Sequence, residues 1–237
     1  MARLEDRYWW FQARRYLTRS LLASHGVPRG SVILDAGCGT GGTFAALAAQ
    51  YTVVGLDRSL VALAFCRKRG MELLVGGDLQ SIPLADASFD AVVACDVLEH
   101  VQDDQLALRE LFRVSRPGAV LVVTVPALPW LWSEHDEALG HMRRYTKRDL
   151  MTRIRAAGWR LRRLNYAVSG LLPPIVLFRL WRRMARRSGA PRVDLFELPG
   201  PINSLLAMLS KLESWVAIRV PLPPGASLIA VATKPKE

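Results

Sequence analysis

V-I-L-D-A-G-C-G-T-G-G, from Val32 to Gly42, is the stretch whose reading decides the fold. Three apolar residues, two of them β-branched, make a short buried strand. Asp35 stands at its carboxyl end. Gly37, Gly39 and Gly41 then alternate before Thr43 to Ala49 begin a helix. Glycine serves where a side chain would clash or where φ must be positive. Three of them between strand and helix predict a tight turn whose bare backbone a ligand can approach. Open α/β sheets bind ligands at this place, outside the carboxyl ends of strands near a topological switch point.

A dinucleotide fingerprint spaces its glycines G-x-G-x-x-G, with pyrophosphate on the helix N-terminus. Here the spacing is G-x-G-x-G, with Asp35 two residues before it. D-A-G-C-G-T-G resembles motif I of the class I S-adenosylmethionine-dependent methyltransferases. The next strand, Thr52 to Leu56, ends in Asp57, which is placed to accept two hydroxyl hydrogen bonds from a ribose. That logic serves nicotinamide and S-adenosylmethionine equally, and Arg58 beside it suits a 2′-phosphate, so an NADP-dependent reductase stays open here. A helix over Leu60 to Arg69 and a third strand over Glu72 to Val75 follow. Gly76-Gly77-Asp78-Leu79 closes that strand. The resemblance implies that Asp78 meets the adenine amino group, with Leu79 against the ring.

Pro83 to Asp90, P-L-A-D-A-S-F-D, is characteristic of the same family and precedes a fourth strand, Ala91 to Cys95. The resemblance implies that the backbone beside Cys95 lies near the methionine end of the cofactor. Asp96 to Val101 reads as the start of the next helix. Leu106 to Val114 is amphipathic and stops before Arg116-Pro117-Gly118, and Ala119 to Pro126 is a fifth strand. Five β-units with short connections predict a doubly wound parallel sheet. The cofactor set expected from motif and resemblance is Asp35, Gly37, Gly39, Gly41, Asp57, Arg58, Asp78, Leu79 and Cys95.

Upstream, Glu5 to Leu22 has apolar positions at helical spacing. Tyr8-Trp9-Trp10-Phe11 with Arg14-Arg15 reads either as a helix packed by its aromatic face or as a lid, with arginine available to a carboxylate or phosphate. W-W-F-x-x-R-R resembles a segment in a subset of the methyltransferases, which favours the lid and puts Trp10 and Arg14 on the substrate.

Pro126 to Thr146, after the fifth strand, is where selectivity should live. Glu134, His135, Asp136, Glu137 and His141 crowd there beside Trp132 and Arg143-Arg144-Tyr145. A metal site would draw on His and carboxylate ligands, but the set lacks a partner distant in sequence, and no metal is expected. A structural network would pair the carboxylates with Arg143 and Arg144. The third reading is substrate binding with proton abstraction, His135 or His141 as the base and His100 behind them. H-D-x-x-x-G-H-x-R-R-Y resembles a block in the same subset. The expected substrate contacts are Trp10, Arg14, His100, Trp132, Arg143, Arg144 and Tyr145.

Thr146 to Ala157 reads as a helix, Gly158 to Leu164 as a sixth strand and Ser227 to Ala232 as the closing one. The family joins those last two strands by a short hairpin, whereas here more than fifty residues intervene. The fold expected is α/β: a Rossmann-like, doubly wound seven-stranded sheet with an antiparallel last strand and a helical insertion between strands six and seven. Its parts are an N-terminal helical lid (1–30), a methyltransferase domain (31–168 with 222–237) and an apolar, basic insertion (169–221).

Within the insertion, the apolar run Gly170 to Leu180 is about ten residues, where a spanning helix needs roughly 20. With Trp181 and an arginine cluster it suits a segment lying among lipid headgroups. Ile202 to Val220 reads as an amphipathic helix. From His141 to Arg192 there are fifteen Lys/Arg and one acidic residue, Asp149. The net charge of +11 and pI near 10.3 point to an anionic partner. Nucleic acid competes, but the cations alternate with Leu, Val, Ile and Phe, which favours a lipid surface. Packing on the domain or an oligomer interface is the other reading. Cys38, Cys66 and Cys95 form no C-x-x-C pair and read as reduced thiols. The charged, aromatic N-terminus does not read as a signal peptide.

The expectation is therefore a methyltransferase using S-adenosylmethionine, acting on a small or lipid-linked acceptor, cytoplasmic and peripheral on the inner face of the cell membrane. An RNA methyltransferase and a non-catalytic, membrane-docked S-adenosylmethionine-binding protein are its competitors.

Overall fold

The computed structural model describes residues 5–184 and 198–236. Seven strands form one sheet: β1 (Val32–Ala36), β2 (Thr52–Asp57), β3 (Leu74–Gly76), β4 (Phe89–Cys95), β5 (Ser115–Pro126), β6 (Arg160–Ala167) and β7 (Ser227–Thr233). Their order is β3-β2-β1-β4-β5-β7-β6. The first five run parallel, while β7 lies antiparallel between β5 and β6, with Val122 opposite Val231 and Leu164 opposite Ala230. The strand order reverses between β1 and β4, so the carboxyl ends of those two strands frame a crevice. This is the doubly wound sheet with an antiparallel last strand that the sequence predicts.

Period-2 alternation sends successive side chains to opposite faces of the sheet. Leu34, Val92, Val123 and Ala230 enter one core layer, under α4 (Asp104–Val114) and α6 (Lys147–Ala156). Ile33, Val93, Val122 and Val231 enter the other, under α1 (Trp9–Ser24), α2 (Gly42–Ala48) and α3 (Leu60–Lys68). Between α4 and β6, the Trp159 indole donates to the Leu108 carbonyl at 3.1 Å and meets Phe112 edge-on.

Four boundaries differ from the sequence reading. Residues 96–101 do not begin a helix: Asp96 adopts φ +52°, a 3-10 turn covers Leu98–His100, and α4 starts afresh at Asp104 with Asp103 capping it through the Leu106 amide. Arg116-Pro117-Gly118 belongs to β5, which pairs with β7 only from Val120 onward, so Pro117 needs no ladder partner there. β3 is short, starting two residues and ending one residue later than expected, and β6 continues to Ala167 along β7.

α5 (Glu134–Leu139) precedes α6, and α7 (Leu172–Met184) and α8 (Gly200–Ala217) lie between β6 and β7. α8 packs along α1, where the Trp9 amide donates to Asn203 Oδ1 at 2.9 Å and Lys211 Nζ to Gln12 Oε1 at 3.1 Å. Among the described residues no helix is long and apolar enough to cross a membrane. The basic residues Arg186, Arg187 and Arg192, and residues 1–4 of the N-terminal segment, lie outside the described residues.

Candidate functional site

At the switch point the glycine turn folds back on β2, with the Gly37 and Cys38 amides both donating to the Leu56 carbonyl. Gly37, Gly39 and Gly41 all have positive φ. A β-carbon on Gly37 would run into Val97, and one on Gly41 into Met71, but one on Gly39 would meet nothing. The Asp57 carboxylate accepts from the Gly39 amide at 2.9 Å and from the Ser59 amide at 2.8 Å. Asp78 caps the loop after β3 through the Gln80 amide, with Leu79 buried beside it and Arg58 exposed at the end of β2.

Asp35 lies beneath the turn, buried, with Oδ2 lacking a partner. Burial, reinforced by the charges of Glu5 and Asp57, pushes its carboxyl up to about 7. Sequence reasoning missed Glu5. Its carboxylate accepts from the Gly42 amide at 3.0 Å and from the Thr40 hydroxyl, and pairs with Arg69. Glu5 thus stands on the backbone amide where a pyrophosphate would sit in a dinucleotide site. Asp35, Glu5 and Asp57 make this cradle acidic in a chain of net positive charge, which suits a cationic adenosyl ligand and opposes an NADP pyrophosphate. S-adenosylmethionine, with its sulfonium and ammonium charges, fits that donor set.

Beyond the cradle, left-handed non-glycine residues follow three of the strands: Asp96 after β4, Leu128 after β5 and Val168 after β6. Such backbone persists only where the surroundings hold it. The buried Arg14 joins the end of β4 to the start of β7, with Nε 2.9 Å from Asp96 and Nη2 3.1 Å from Ser227 Oγ, and its guanidinium stacks over Trp10. Cys95 contacts Thr18 Oγ1 at 3.4 Å, and burial beside Asp96 pushes its thiol up to about 12, so it is no nucleophile at neutral pH.

The ionisable loop is built around Asp136, at the start of α5. Its carboxylate accepts from His141 Nδ1 at 2.9 Å, from Arg144 Nε at 2.8 Å and from the Ser133 amide at 2.9 Å, with Arg179 of α7 at 3.8 Å. Burial works to raise the Asp136 carboxyl, but the His141 bond and the Arg144 and Arg179 charges outweigh it and hold it below the usual carboxylate range. Backbone bonds join this loop to the turn after β4: the Met142 amide donates to the Glu99 carbonyl at 2.8 Å, and His100 Nδ1 lies 3.3 Å from the Gly140 carbonyl. His100 and His141 therefore meet edge-on, ring centres 4.8 Å apart, with Glu99 buried among them. Burial, then the Asp96 charge, raises the Glu99 carboxyl well above its ordinary value despite Arg14 and Arg144. Burial and then His141 lower His100.

Three expected substrate contacts are corrected. Tyr145 is 2% exposed, and its hydroxyl donates to Asp104 at 2.7 Å and lies 3.2 Å from the Leu98 carbonyl, so it ties the loop to α4. Arg143 pairs with Asp104 at 3.0 Å and donates to the Gln102 carbonyl, and Arg144 is consumed by Asp136 and the Ala127 carbonyl. These are the network contacts that the arginine pairing anticipated, with Asp104 as the second acid. Trp132 is at the rim, its indole 3.4 Å from Glu137, and His135 stands 6.4 Å from His141, ring to ring. The sequence also left Asp96 and Glu99 unread, because D-V-L-E-H looks like ordinary helix.

Comparison with known proteins fits this geometry. A family model described as a methyltransferase domain matches residues 34–123. The chain is 32% identical to a "probable S-adenosylmethionine-dependent methyltransferase" of Mycolicibacterium smegmatis over 66% of this chain and 61% of that protein. It is 32% identical to a malonyl-[acyl-carrier protein] O-methyltransferase of Enterobacter lignolyticus over 59% of each, and 35% identical to norajmaline N-methyltransferase of Rauvolfia serpentina over 38% of this chain and 34% of that one. It thus spans less than two thirds of the length of these relatives. Among solved structures, the [4+2]-cyclase SpnF superposes with TM-score 0.63 at 24% identity, over 96% of this chain and 84% of that one. A TehB-like SAM-dependent methyltransferase from Corynebacterium glutamicum superposes with TM-score 0.58 at 20% identity, covering 94% and 87%. The fold is shared, and the cyclase shows that the fold alone does not fix the reaction.

Proposed function

We propose, from the premise that this chain belongs to the class I S-adenosylmethionine-dependent methyltransferase family, that it methylates a small or lipid-linked acceptor at the surface of an anionic membrane. The observation that carries the methyl-transfer reading is the acidic cradle: Asp57 bonded to the Gly39 amide, Glu5 to the Gly42 amide and Asp35 beneath the same turn.

Bound there, S-adenosylmethionine supplies a methyl group on a cationic sulfonium, an electrophile that needs alignment more than activation. Asp57 would hold its ribose hydroxyls, Asp78 and Leu79 would border its adenine, and Asp35 would balance its positive charge. Arg14 fixes Asp96 and the start of β7, and so shapes the wall on the acceptor side. For a hydroxyl acceptor, His141 is the group that takes the proton. Its Nδ1 is committed to Asp136, which leaves the Nε2 lone pair as the basic atom. A positioned base of this kind contributes roughly 10²–10⁴-fold. The relatives named for norajmaline and malonyl-[acyl-carrier protein] as acceptors support a small or carrier-linked organic substrate. The membrane part rests on exposed Leu177, Leu180 and Trp181 on α7 and on the apolar outer face of α8.

Calorimetry with S-adenosylmethionine tests the reading. The wild-type chain is expected to bind it in preference to NADPH, and Asp57→Asn to bind about 10–100-fold more weakly, as the loss of charge-assisted hydrogen bonds predicts. His141→Gln is expected to keep that affinity and lose methyl transfer. Preference for NADPH would overturn the reading.

A further inference from the structure

We infer that Glu99, His100 and His141 form a binding site for a divalent cation of the Zn²⁺, Mn²⁺ or Co²⁺ type beside the acceptor. This inference rests on the methyltransferase reading for its purpose but not for its geometry.

One ligand atom from each of the three side chains lies within 4.8 Å of the others. The two histidines come from segments about forty residues apart, stitched together by the Met142–Glu99 and His100–Gly140 contacts. The sequence-level objection to a metal here, the want of a distant partner for His141, is thereby answered by the turn after β4.

The surroundings select for a metal over a plain hydrogen-bond network. Glu99 is 1% exposed, and neither carboxylate oxygen has a hydrogen-bond partner. Buried polar atoms are nearly always satisfied, and two orphans on one carboxylate call for a partner the protein does not supply. Both histidines are oriented as metal ligands usually are, with the other ring nitrogen tied to an oxygen. His141 Nδ1 is bonded to the ionised Asp136, and His100 Nδ1 to the Gly140 carbonyl, which only accepts. Each Nδ1 therefore carries the hydrogen, and each Nε2 lone pair is left for coordination. Two imidazoles and one carboxylate are a donor set for borderline divalent ions rather than for Ca²⁺ or Mg²⁺. Three protein ligands leave positions open, as in catalytic rather than structural sites. An acceptor hydroxyl, or a pair of neighbouring acceptor oxygens, can take them and become more acidic for it. With the cation bound, His141 Nε2 is a ligand in place of the base, and the acidified acceptor hydroxyl gives its proton to water.

The test uses the full chain, treated with chelator and titrated with Co²⁺ and Zn²⁺, with calorimetry and Co²⁺ visible absorption as readouts. One equivalent is expected to bind, with the absorption of nitrogen–oxygen coordination. Glu99→Gln and His100→Ala are each expected to weaken binding at least tenfold, with folding checked by circular dichroism, and His135→Ala to leave it unchanged. The half-buried His100 gives a variant that folds even if the Glu99 one does not. A folded chain that takes up no stoichiometric cation, or whose uptake ignores both substitutions, overturns the inference. S-adenosylmethionine affinity, measured separately, keeps the two readings apart: its loss in the wild-type chain would sink the methyltransferase reading and leave the cation site standing.

Discussion

Gly37 and Gly39 share a left-handed backbone but have different neighbours, and the difference separates folding from binding. Alanine at Gly39, φ +53°, fills only open space and costs about 1–2 kcal/mol of backbone strain. It puts a methyl group where the ligand approaches, so S-adenosylmethionine binding is expected to fall at least tenfold with a modest drop in Tm. Alanine at Gly37 adds a collision with Val97 to the strain and is expected to cost about 2–5 kcal/mol. Thermal melts beside calorimetry check the pair, and equal effects on both readouts would refute the distinction. Asp35 has a pH signature. Its carboxyl sits near 7 when folded, against about 4 in an unfolded chain, so the folded state holds the extra proton. The resulting penalty is absent below about pH 4, grows as pH rises and is complete above about 7. Asp35→Asn removes it. The variant's Tm advantage is expected to be small at pH 5 and several degrees at pH 8, on the order of 2–4 kcal/mol, with weaker binding of the cationic ligand. A Tm gain that shrinks with rising pH would contradict the assignment.

At the scale of elements, Asp104 at the start of α4 accepts from the Tyr145 hydroxyl and pairs with Arg143 and with Arg153 of α6, joining two helices and the loop. Tyr145→Phe leaves that buried carboxylate short of a donor and is expected to cost about 1–2 kcal/mol, a Tm loss of a few degrees. The acceptor KM should not change. A raised KM with unchanged Tm would return Tyr145 to the substrate. The same contrast explains what was legible in the sequence. Asp57 and Asp78 could be singled out because one ends a strand and the other follows a strand by two residues, where open α/β sheets bind ligands. Asp96 and Glu99 could not, because D-V-L-E-H has helical spacing and only the left-handed Asp96 and the cap at Asp103 break it. Glu5 reaches the glycine turn from 37 residues away in the chain. No local pattern encodes a contact that depends on how α1 docks. Arg143, Arg144 and Tyr145 look like ligand contacts in the sequence because long polar side chains look alike whether they meet substrate or an inner carboxylate.

Over the whole molecule, charge and apolar surface fall on the same part of the chain. α8 buries Ala207, Ser214 and Ala217 but leaves Ile202, Leu205, Met208, Leu209, Leu212 and Trp215 exposed, a spacing of three and four that marks one helical face. α7 adds Leu177, Leu180, Trp181 and Met184. An apolar face this continuous is unusual on a monomer and marks an interaction site. Nucleic acid would use the cations and leave the leucines wet, whereas an anionic bilayer uses both. The arginines Arg179 and Arg182 of α7 also bond to Leu131 and Glu134, so docking of α7 bears directly on the loop that carries Asp136 and His141. Flotation with phosphatidylglycerol vesicles is therefore expected to carry the chain upward, less so in high salt and little with neutral vesicles. Leu205→Gln with Leu209→Gln should abolish flotation while leaving S-adenosylmethionine affinity intact. Retention of RNA unaffected by those two substitutions, with no flotation, would move the anionic partner to nucleic acid. A concentration-independent dimer that loses its partner when they are made would assign the face to self-association, and the acceptor would then be sought among soluble small molecules.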